Sequence, residues 1–261
     1  MKTLCLDIGN TTAHMAVVSF GKVLQDTRIP TNAFQKEFPE KLKEFTGISR
    51  FAYCSVVPSL NSFVESSASE AGLEVFNLNA STCPIPIDYP KPSEIGQDRL
   101  ANAVGACAFS ELPTVVIDMG TATTFDIVTL ENGYIGGVIS PGLSLMREYL
   151  HEKTALLPEI RYRKAPWPTS CIGKSTQQAM EIGGIIGYTG MIKEILSRLQ
   201  QDIQELEGVD VSMSLLLTGG KASFLEKALG EVCSYHPDLT LQGLEIAASA
   251  ASQSKDSSIS G

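Results

Sequence analysis

The sequence predicts an α/β protein built from two similar halves, and three observations support this fold class. Residues 4–18 and 115–128 each contain an apolar β-rich run, an Asp-x-Gly turn and a second apolar run. Short apolar strands alternate with segments of helical periodicity along the rest of the chain. The 261 residues, 43% hydrophobic and 19% charged, have a globular composition and are enough for one large domain or two of ordinary size.

The two Asp-x-Gly turns are the first candidate functional element, because Asp7 and Gly9 match Asp118 and Gly120 at the same offset. A glycine lets a ligand approach the backbone closely and can take a positive φ. Clustered backbone N–H groups with nearby hydroxyls and amides can bind phosphate oxygens. The side chains concerned are Asn10, Thr11, Thr121 and Thr123.

A carboxylate beside a phosphate is repulsive unless a cation lies between them. Asp7 and Asp118 are therefore candidate ligands, direct or through water, for Mg²⁺ or another cation. The alternative interpretation is a pair of ordinary hairpins in which Asp and Gly only form the turns. The occurrence of two copies, one near the start of each half, favours the phosphate interpretation.

Periodicity and proline positions predict the remaining elements of the first half. After the first hairpin, the predicted elements are helix 32–45, strand 51–57, helix 59–71 and strand 73–78. Four prolines between Pro84 and Pro92 exclude a regular helix and indicate a stiff, extended segment. A helix over 99–109 follows, with apolar or small residues at helical spacing.

The second half continues with the same alternation after its hairpin. The predicted elements are strand 136–142, helix 143–153, an irregular segment 158–171, a long helix from Ser175 or Thr176 to Gly208, strand 214–217, a helix from Ala222 and a last helix 243–251. The irregular segment contains a basic run of Arg161, Arg163 and Lys164. That run is either a solvated face or a contact for an anionic partner.

Charge and composition exclude several classes of function. The formal net charge of −9 disfavours binding to nucleic acid. No apolar run is long enough to span a bilayer, and Asp7 interrupts the apolar core that a signal peptide needs, so we expect no membrane association and no secretion. The six cysteines form no C-x-x-C pair, which argues against structural zinc and predicts buried, reduced thiols in a cytoplasmic protein.

The common nucleotide-binding motifs are missing. Gly173-Lys174-Ser175 resembles the end of a P-loop, but Pro168 stands where its first glycine should be. No G-x-G-x-x-G segment occurs. A P-loop or Rossmann enzyme is therefore disfavoured.

Gly96-Gln97-Asp98-Arg99 is the second candidate functional element. Asp98 lies at the predicted N-cap of helix 99–109 or just before it, where a carboxylate can accept backbone N–H bonds. Capping alone would explain Asp98, and a helix-surface ion pair would explain Arg99. From this segment alone, those interpretations and a functional one stay open.

Five motifs occur in a fixed order between residues 4 and 220. They are Asp7-Ile8-Gly9-Asn10-Thr11, Gly96-Gln97-Asp98-Arg99, the segment 118–126, the segment 136–143 and Leu217-Thr218-Gly219-Gly220. The set resembles type III pantothenate kinase, a family of the actin-like, sugar kinase and Hsp70-like ATPase superfamily. Pro237–Leu241 with Gly243-Leu244 looks like the C-terminal end of that family.

The resemblance implies two ribonuclease-H-like (actin-like ATPase) α/β domains, each a mixed sheet flanked by helices, with a cleft between them. We expect these domains at residues 1–113 and 114–255, followed by a frayed tail at 256–261. The same resemblance implies ATP-dependent phosphorylation of pantothenate to 4′-phosphopantothenate, the first step of coenzyme A synthesis.

The resemblance also implies roles for individual residues. Asp98 would be the base that accepts the proton of the pantothenate hydroxyl, and Asp118 would bind the monovalent cation, K⁺ or NH₄⁺. Asp7 is a candidate ligand of Mg²⁺. The ATP phosphates would be held by Asp7, Ile8, Gly9, Asn10, Thr11, Thr12, Ala13 and His14, with Thr121. The pantothenate site would be lined by Tyr89, Gly96, Gln97, Asp98, Arg99 and Thr176.

Arg99 has a more specific implied role, because its guanidinium can pair with the pantothenate carboxylate. Pro90-Lys91-Pro92 makes the chain after Tyr89 stiffer than in many relatives. The resemblance further implies a homodimer with pantothenate and the cation near the subunit interface. Two alternatives stay open: a kinase of the same superfamily that acts on a sugar or similar alcohol, and a regulatory relative of the accessory-factor type.

Overall fold

The computed structural model describes residues 2–160, 167–220, 222, 229 and 233–259. These residues contain two five-stranded mixed sheets with the same strand order, β3-β2-β1-β4-β5 and β8-β7-β6-β9-β10. The strands of the first sheet are β1 Thr3–Ile8, β2 Thr12–Ser19, β3 Lys22–Pro30, β4 Arg50–Ser55 and β5 Glu74–Asn77. Those of the second are β6 Thr114–Met119, β7 Ala122–Thr129, β8 Gly133–Pro141, β9 Ser214–Thr218 and β10 Cys233–Tyr235.

The internal repeat extends beyond the two hairpins to both whole sheets. In the first sheet β1 is antiparallel to β2 and parallel to β4. In the second, β6 has the same relation to β7 and β9. The predicted fold class, two mixed sheets flanked by helices, is therefore confirmed.

Seven α-helices of the described residues flank the sheets. They are α1 Phe34–Leu42, α2 Asn61–Glu70, α3 Gln97–Phe109, α4 Leu143–Glu152, α5 Thr176–Ile182, α6 Tyr188–Glu207 and α7 Leu239–Ile259. A π-helical turn over Gly183–Gly187 joins α5 to α6, so the predicted long helix is continuous. Its N-terminus is capped by Ser175, whose side chain accepts a hydrogen bond from the Gln178 amide.

Two strands, β3 and β10, and the start of helix α7 differ from the predictions. Strand β3 was not predicted because its residues are mostly exposed and lack an apolar alternation. Strand β10 has only three residues. Helix α7 begins four residues before the predicted start and includes 256–259, which we expected in a frayed tail. The helix predicted from Ala222 lies mostly outside the described residues, and the basic run of Arg161, Arg163 and Lys164 lies wholly outside them.

The core is arranged in five layers, with α3 and α7 between the two sheets. Side chains from α3, α7 and the facing sides of both sheets form one cluster, which includes Cys5, Val116, Leu100 and Leu244. The outer side of the first sheet packs against α1 and α2. The outer side of the second sheet packs against α6. Both sheets therefore bury the two helices of the central layer.

Helix α7 follows the second sheet in sequence but packs on the first. The buried guanidinium of Arg50 in β4 donates hydrogen bonds to Ala248 O at 3.2 Å and to Ser249 Oγ at 2.8 Å, both in α7. Along the chain, the first sheet and α3 are complete at Phe109, and the second sheet begins at Thr114 with β6. The domain boundary between residues 113 and 114 stays a prediction. It assigns α7 to the second domain, although α7 forms hydrogen bonds to the first sheet.

The cysteines are less buried than predicted. All six are free thiols, but only Cys5 and Cys54 are buried, while Cys107 and Cys171 are exposed. Among the described residues, each helix is too short or too polar to cross a lipid bilayer.

Candidate active site

The two Asp-x-Gly turns meet in the folded chain, as predicted. Thr11 Oγ1 of the first turn lies 3.0 Å from Thr121 Oγ1 of the second. In each turn the glycine amide donates to a backbone oxygen: Gly9 N bonds Thr12 O, three residues ahead, at 3.1 Å, and Gly120 N bonds Ala122 O, two residues ahead, at 3.0 Å. Those two amides are therefore occupied, and a phosphate must use other donors of the turns.

The turn glycines do not use the positive φ that glycine allows, and one expectation about the side chains of the turns is wrong. Neither Gly9 nor Gly120 has a positive φ. Thr123, expected among the phosphate-binding side chains, is fully buried, and its Oγ1 lies 2.6 Å from the hydroxyl of Tyr188. Thr123 therefore fixes β7 to α6 and does not face the space between the turns.

A cleft of about 550 Å³ lies between the turns. The predicted site residues that line it are Asp7, Gly9, Asn10, Thr11, Thr12, His14, Asp98, Asp118 and Thr121. Its other wall includes Thr218, Gly219 and Gly220 at the end of β9, and Tyr235, Pro237 and Asp238 before α7. Residues from both sheets and from both helices of the central layer thus enclose one space.

Strand alternation explains why the two aspartates converge. Successive side chains of a strand point to opposite faces of the sheet. Asp7 therefore shares a face with Cys5, and Asp118 shares a face with Val116, and both of these residues pack in the central layer. Each aspartate lies near the end of the middle strand of its sheet. Both carboxylates consequently face the same gap, where α3 begins.

The cleft holds three carboxylates with raised pKa values, and burial is the largest cause for each of them. Burial raises the pKa of Asp7 to about 7, with further increases from the charges of Asp98 and Asp118. Burial also raises the pKa of Asp118 to about 6, although a hydrogen bond from Asn102 opposes the increase. The Cys54 thiol lies 3.4 Å from Asp7 Oδ1 and donates to it. This concentration of negative charge would be relieved by a bound cation.

The oxygen ligands of the cleft suit hard cations. Carboxylates and threonine hydroxyls are ligands that Mg²⁺ accepts, together with waters and substrate phosphates. Within residues 2–160, 167–220 and 233–259, no three His, Cys, Asp or Glu side chains are arranged as a complete metal site. The carboxylates and neighbouring hydroxyls of the cleft fit a hard cation that also takes waters or substrate phosphate oxygens as ligands.

Asp98 projects into this cleft from the first turn of α3. The helix begins at Gln97 with Gly96 as its N-cap, so Asp98 lies inside the helix and not at the cap as predicted. Its Oδ1 accepts a hydrogen bond from Arg99 N at 2.8 Å. Burial raises its pKa, while this backbone bond and the charge of Arg99 act in the opposite direction. Asp98 is therefore a carboxylate with strengthened basicity at the edge of the cleft.

Arg99 forms a buried ion pair with a residue of β7. Its Nε donates to Asp126 Oδ1 at 2.6 Å, and the Asp126 side chain is fully buried. The guanidinium carbon lies 5.7 Å from the centre of the Tyr134 ring. Arg99 Nη2 is buried and has no hydrogen-bond partner. The helix-surface ion pair considered from the sequence is thus replaced by a buried pair with an unpaired nitrogen.

The remaining predicted site residues do not line this cleft. The ring of Tyr89 lies 6.2 Å from that of Tyr134, beside Arg99. Gln97 Oε1 accepts a hydrogen bond from Ser55 N at 2.8 Å, which ties α3 to β4. Thr176 is the exposed first residue of α5.

Three residues of the first phosphate loop are placed differently from one another. The side chains of Ile8 and Ala13 are buried in the core on the outer side of the first sheet. Only their backbone can therefore contribute to the loop. His14 does line the cleft, and its Nε2 lies 3.0 Å from Asp26 Oδ2. Burial lowers the pKa of His14.

Sequence reasoning missed three residues that contact the predicted site. Asn102 donates to Asp118, Asp126 binds Arg99 and Cys54 donates to Asp7. Asn102 had a detectable signal, because it lies four residues after Asp98 in an otherwise apolar helical face. Asp126 belongs to the motif segment 118–126, but its partner Arg99 is distant in sequence, and Cys54 had no local signal.

The chain is similar in sequence to members of one protein family. Residues 3–198 match the family model described as type III pantothenate kinase. Type III pantothenate kinase of Methylacidiphilum infernorum is 35% identical, with 93% of this chain and 86% of that protein aligned. Type III pantothenate kinase of Akkermansia muciniphila is 36% identical, over 95% of this chain and 98% of that protein.

Two solved structures are similar to the fold. A Campylobacter jejuni protein, named for the Baf family of transcriptional activators, has a TM-score of 0.64 and 20% identity, with 96% of this chain and 99% of that chain covered. MreB 5 of Spiroplasma citri, solved with AMPPNP, has a TM-score of 0.52 and 14% identity, with 98% of each chain covered. At these identities the likeness shows the fold alone.

Proposed function

The chain belongs to the type III pantothenate kinase family, and we infer that its cleft transfers a phosphoryl group from ATP to pantothenate, the first step of coenzyme A synthesis. The main structural support for locating this reaction in the cleft is the contact between the hydroxyls of Thr11 and Thr121. That contact joins the two turns, which we propose bind phosphate, at one cleft that Asp98 also lines.

In this proposal, Asp98 accepts the proton of the pantothenate hydroxyl. Phosphoryl transfer proceeds through a loose transition state, so the hydroxyl proton can leave late and alignment matters more than strong basicity. The raised pKa of Asp98 brings this carboxylate nearer to the working pH, which improves a general base. The hydrogen bond to Arg99 N holds one carboxylate oxygen, which limits the rotation of the side chain.

The loop residues and the two aspartates would stabilise the phosphate charge. We propose that Asp7 to His14 and Thr121 bind the ATP phosphates, with Asp7 toward Mg²⁺ and Asp118 toward K⁺ or NH₄⁺. When bound, these cations supply positive charge beside the phosphate oxygens, which lowers the barrier to transfer. The raised pKa values of Asp7 and Asp118, to which burial and the charge of Asp98 contribute, support this proposal, because a bound cation would offset both effects.

A coupled assay with ATP, Mg²⁺ and pantothenate tests the function and the monovalent cation together. We expect ADP release that depends on pantothenate and that is at least about tenfold faster in KCl or NH₄Cl than in NaCl of equal ionic strength. Full activity in NaCl would remove the role proposed for Asp118. ADP release with a sugar and none with pantothenate would contradict the substrate.

We propose that Arg99 binds the carboxylate of pantothenate. The support is its buried, unpaired Nη2 and the anchoring of its Nε by Asp126, which leaves the other nitrogens of a planar fork for an anion. Tyr89, beside the same cluster, would line this part of the substrate site together with Gly96 and Gln97.

Arg99→Lys keeps the charge but removes the planar fork. We expect the KM for pantothenate to rise at least about tenfold, while the KM for ATP stays within about twofold. Steady-state kinetics with each substrate varied separately measure both values. An unchanged KM for pantothenate would contradict the role of Arg99, whereas a parallel rise for ATP would indicate general damage to the cleft.

A homodimer would complete the substrate site in this proposal. Thr176 is exposed and does not line the described cleft, so its proposed role in pantothenate binding requires another surface to come close. Exposed apolar side chains on α4, namely Leu145, Tyr149 and Leu150, give a surface on which a second copy could pack. We also propose a cytoplasmic location, which the six free thiols support.

A further inference from the structure

Asn102 is a fully buried polar side chain on the same face of α3 as Asp98. Residues four apart on a helix are neighbours on one face, so α3 presents Asp98 and, one turn later, Asn102 toward the same region. The accessible fraction of Asn102 is 0%. A buried amide needs partners for both of its ends, and these partners define what it does.

Both ends of the Asn102 amide are engaged. Nδ2 donates to Asp118 Oδ2 at 3.1 Å, and Oδ1 accepts from Thr240 Oγ1 at 2.7 Å. An ionised carboxylate only accepts hydrogen bonds, so the NH₂ group must face Asp118 and the oxygen must face Thr240. The orientation of the amide is therefore set by its two partners. Thr240 lies in the first turn of α7 and also lines the cleft.

The second oxygen of Asp118 lies close to the backbone turn that follows β9. Gly219 has φ +88°, and a Cβ added to it would lie 2.5 Å from Asp118 Oδ1. Asp118 is therefore enclosed between the amide of Asn102 and the backbone turn after β9. Only glycine allows that turn to pass so close to the carboxylate.

We propose that Asn102 is a positioning residue that fixes the Asp118 carboxylate for the monovalent cation and links it to α7 through Thr240. This inference rests on the function and the cation site proposed above. Without the Nδ2 donor, Asp118 would lose a charge-assisted hydrogen bond and could turn away from the cleft. The link to α7 would also make the response to the cation depend on the first turn of that helix.

The test compares Asn102→Ala and Thr240→Val with the wild-type chain. Melting temperatures are measured in KCl and in NaCl at equal ionic strength, and the concentration of K⁺ that gives half-maximal activity is measured in the coupled assay. We expect K⁺ to raise the wild-type melting temperature more than Na⁺ does. Asn102→Ala should lose that difference and need at least about tenfold more K⁺.

Thr240→Val should need about two- to threefold more K⁺, because it removes only the outer hydrogen bond. The matched control is Asn61→Ala, which removes an amide from α2 outside the cleft and should leave the K⁺ response unchanged. If Asn102→Ala does not fold, Thr240→Val decides: an unchanged K⁺ requirement in that variant would overturn the inference. A folded Asn102→Ala with a wild-type K⁺ response would overturn it as well.

Failure of this inference differs from failure of the proposed function. A wild-type chain that phosphorylates pantothenate equally well in KCl and NaCl would overturn the role of Asn102 and leave the reaction intact. A chain that turns over no pantothenate, yet melts higher in K⁺ and loses this effect in Asn102→Ala, would support the inference and contradict the function.

Discussion

Asp98→Asn is expected to lower kcat about a thousandfold while the chain still folds and binds ATP. Removal of a general base typically costs 10²- to about 10⁴-fold, and an amide cannot accept the hydroxyl proton. The substitution keeps the side-chain oxygen that accepts the Arg99 amide hydrogen, so the first turn of α3 should persist. Single-turnover kinetics at saturating ATP and pantothenate measure the loss, and calorimetric titration with ATP measures binding.

The control for Asp98→Asn is Asp202→Asn, which makes the same chemical change at an exposed position of α6. Its kcat should equal that of the wild-type chain. A near wild-type rate in Asp98→Asn would remove the base assignment. Loss of ATP binding together with loss of turnover would instead place Asp98 in phosphate or cation binding.

The pH dependence of kcat should follow from the same group. A protonated Asp98 cannot act as a base, and burial raises its pKa, so activity should fall as the pH drops through that raised value. At saturating ATP, Mg²⁺ and K⁺, where bound cations keep Asp7 and Asp118 ionised, the residual activity of Asp98→Asn should lack the part of the acidic decline that Asp98 causes in the wild-type chain.

The family resemblance implied that the two turns share one ATP site, and the local repeat and strand alternation explain this convergence. Asp7 lies two residues after Cys5, and Asp118 lies two residues after Val116, so both aspartates share the inward face of their strands. Both middle strands pack against the same central helices, so their inward-facing aspartates point to one gap. The position of Asp98 at the N-terminus of α3 followed from the same short-range signals, to within two residues.

The partners of these residues could not be predicted, because they come from distant parts of the chain. Arg99 pairs with Asp126, 27 positions away, and Asn102 binds Thr240, 138 positions away. Nothing in the spacing of these residues distinguishes them from surface polar side chains. Helix α7 follows the second sheet in sequence but packs on the first, and only the folded structure reveals which strands it covers.

Gly243→Ala is expected to reduce the free energy of unfolding by about 2–4 kcal/mol, which is the cost of overpacking a rigid contact. A Cβ at position 243 would lie 1.9 Å from Ala101 O in α3. Across the same contact, a Cβ at Gly105 would lie 3.0 Å from Leu239 O in α7. The two helices therefore touch backbone to backbone, and a methyl group can fit only if they move apart.

The same substitution should also impair catalysis in the molecules that stay folded. Helix α3 carries Asp98 and Asn102, and α7 carries Thr240, so separating the helices stretches the hydrogen bond of 2.7 Å that joins Asn102 to Thr240. Urea unfolding measures the stability, and the K⁺ requirement of the folded variant measures the effect on the cation site.

Gly190→Ala on α6 is the matched control, because no atom lies within 4 Å of its added Cβ. Since alanine favours a helix over glycine by about 1 kcal/mol, that control should be unchanged or more stable. A Gly243→Ala variant as stable as the control would show that α3 and α7 can separate without cost, and the close packing of the central layer would then not position the site.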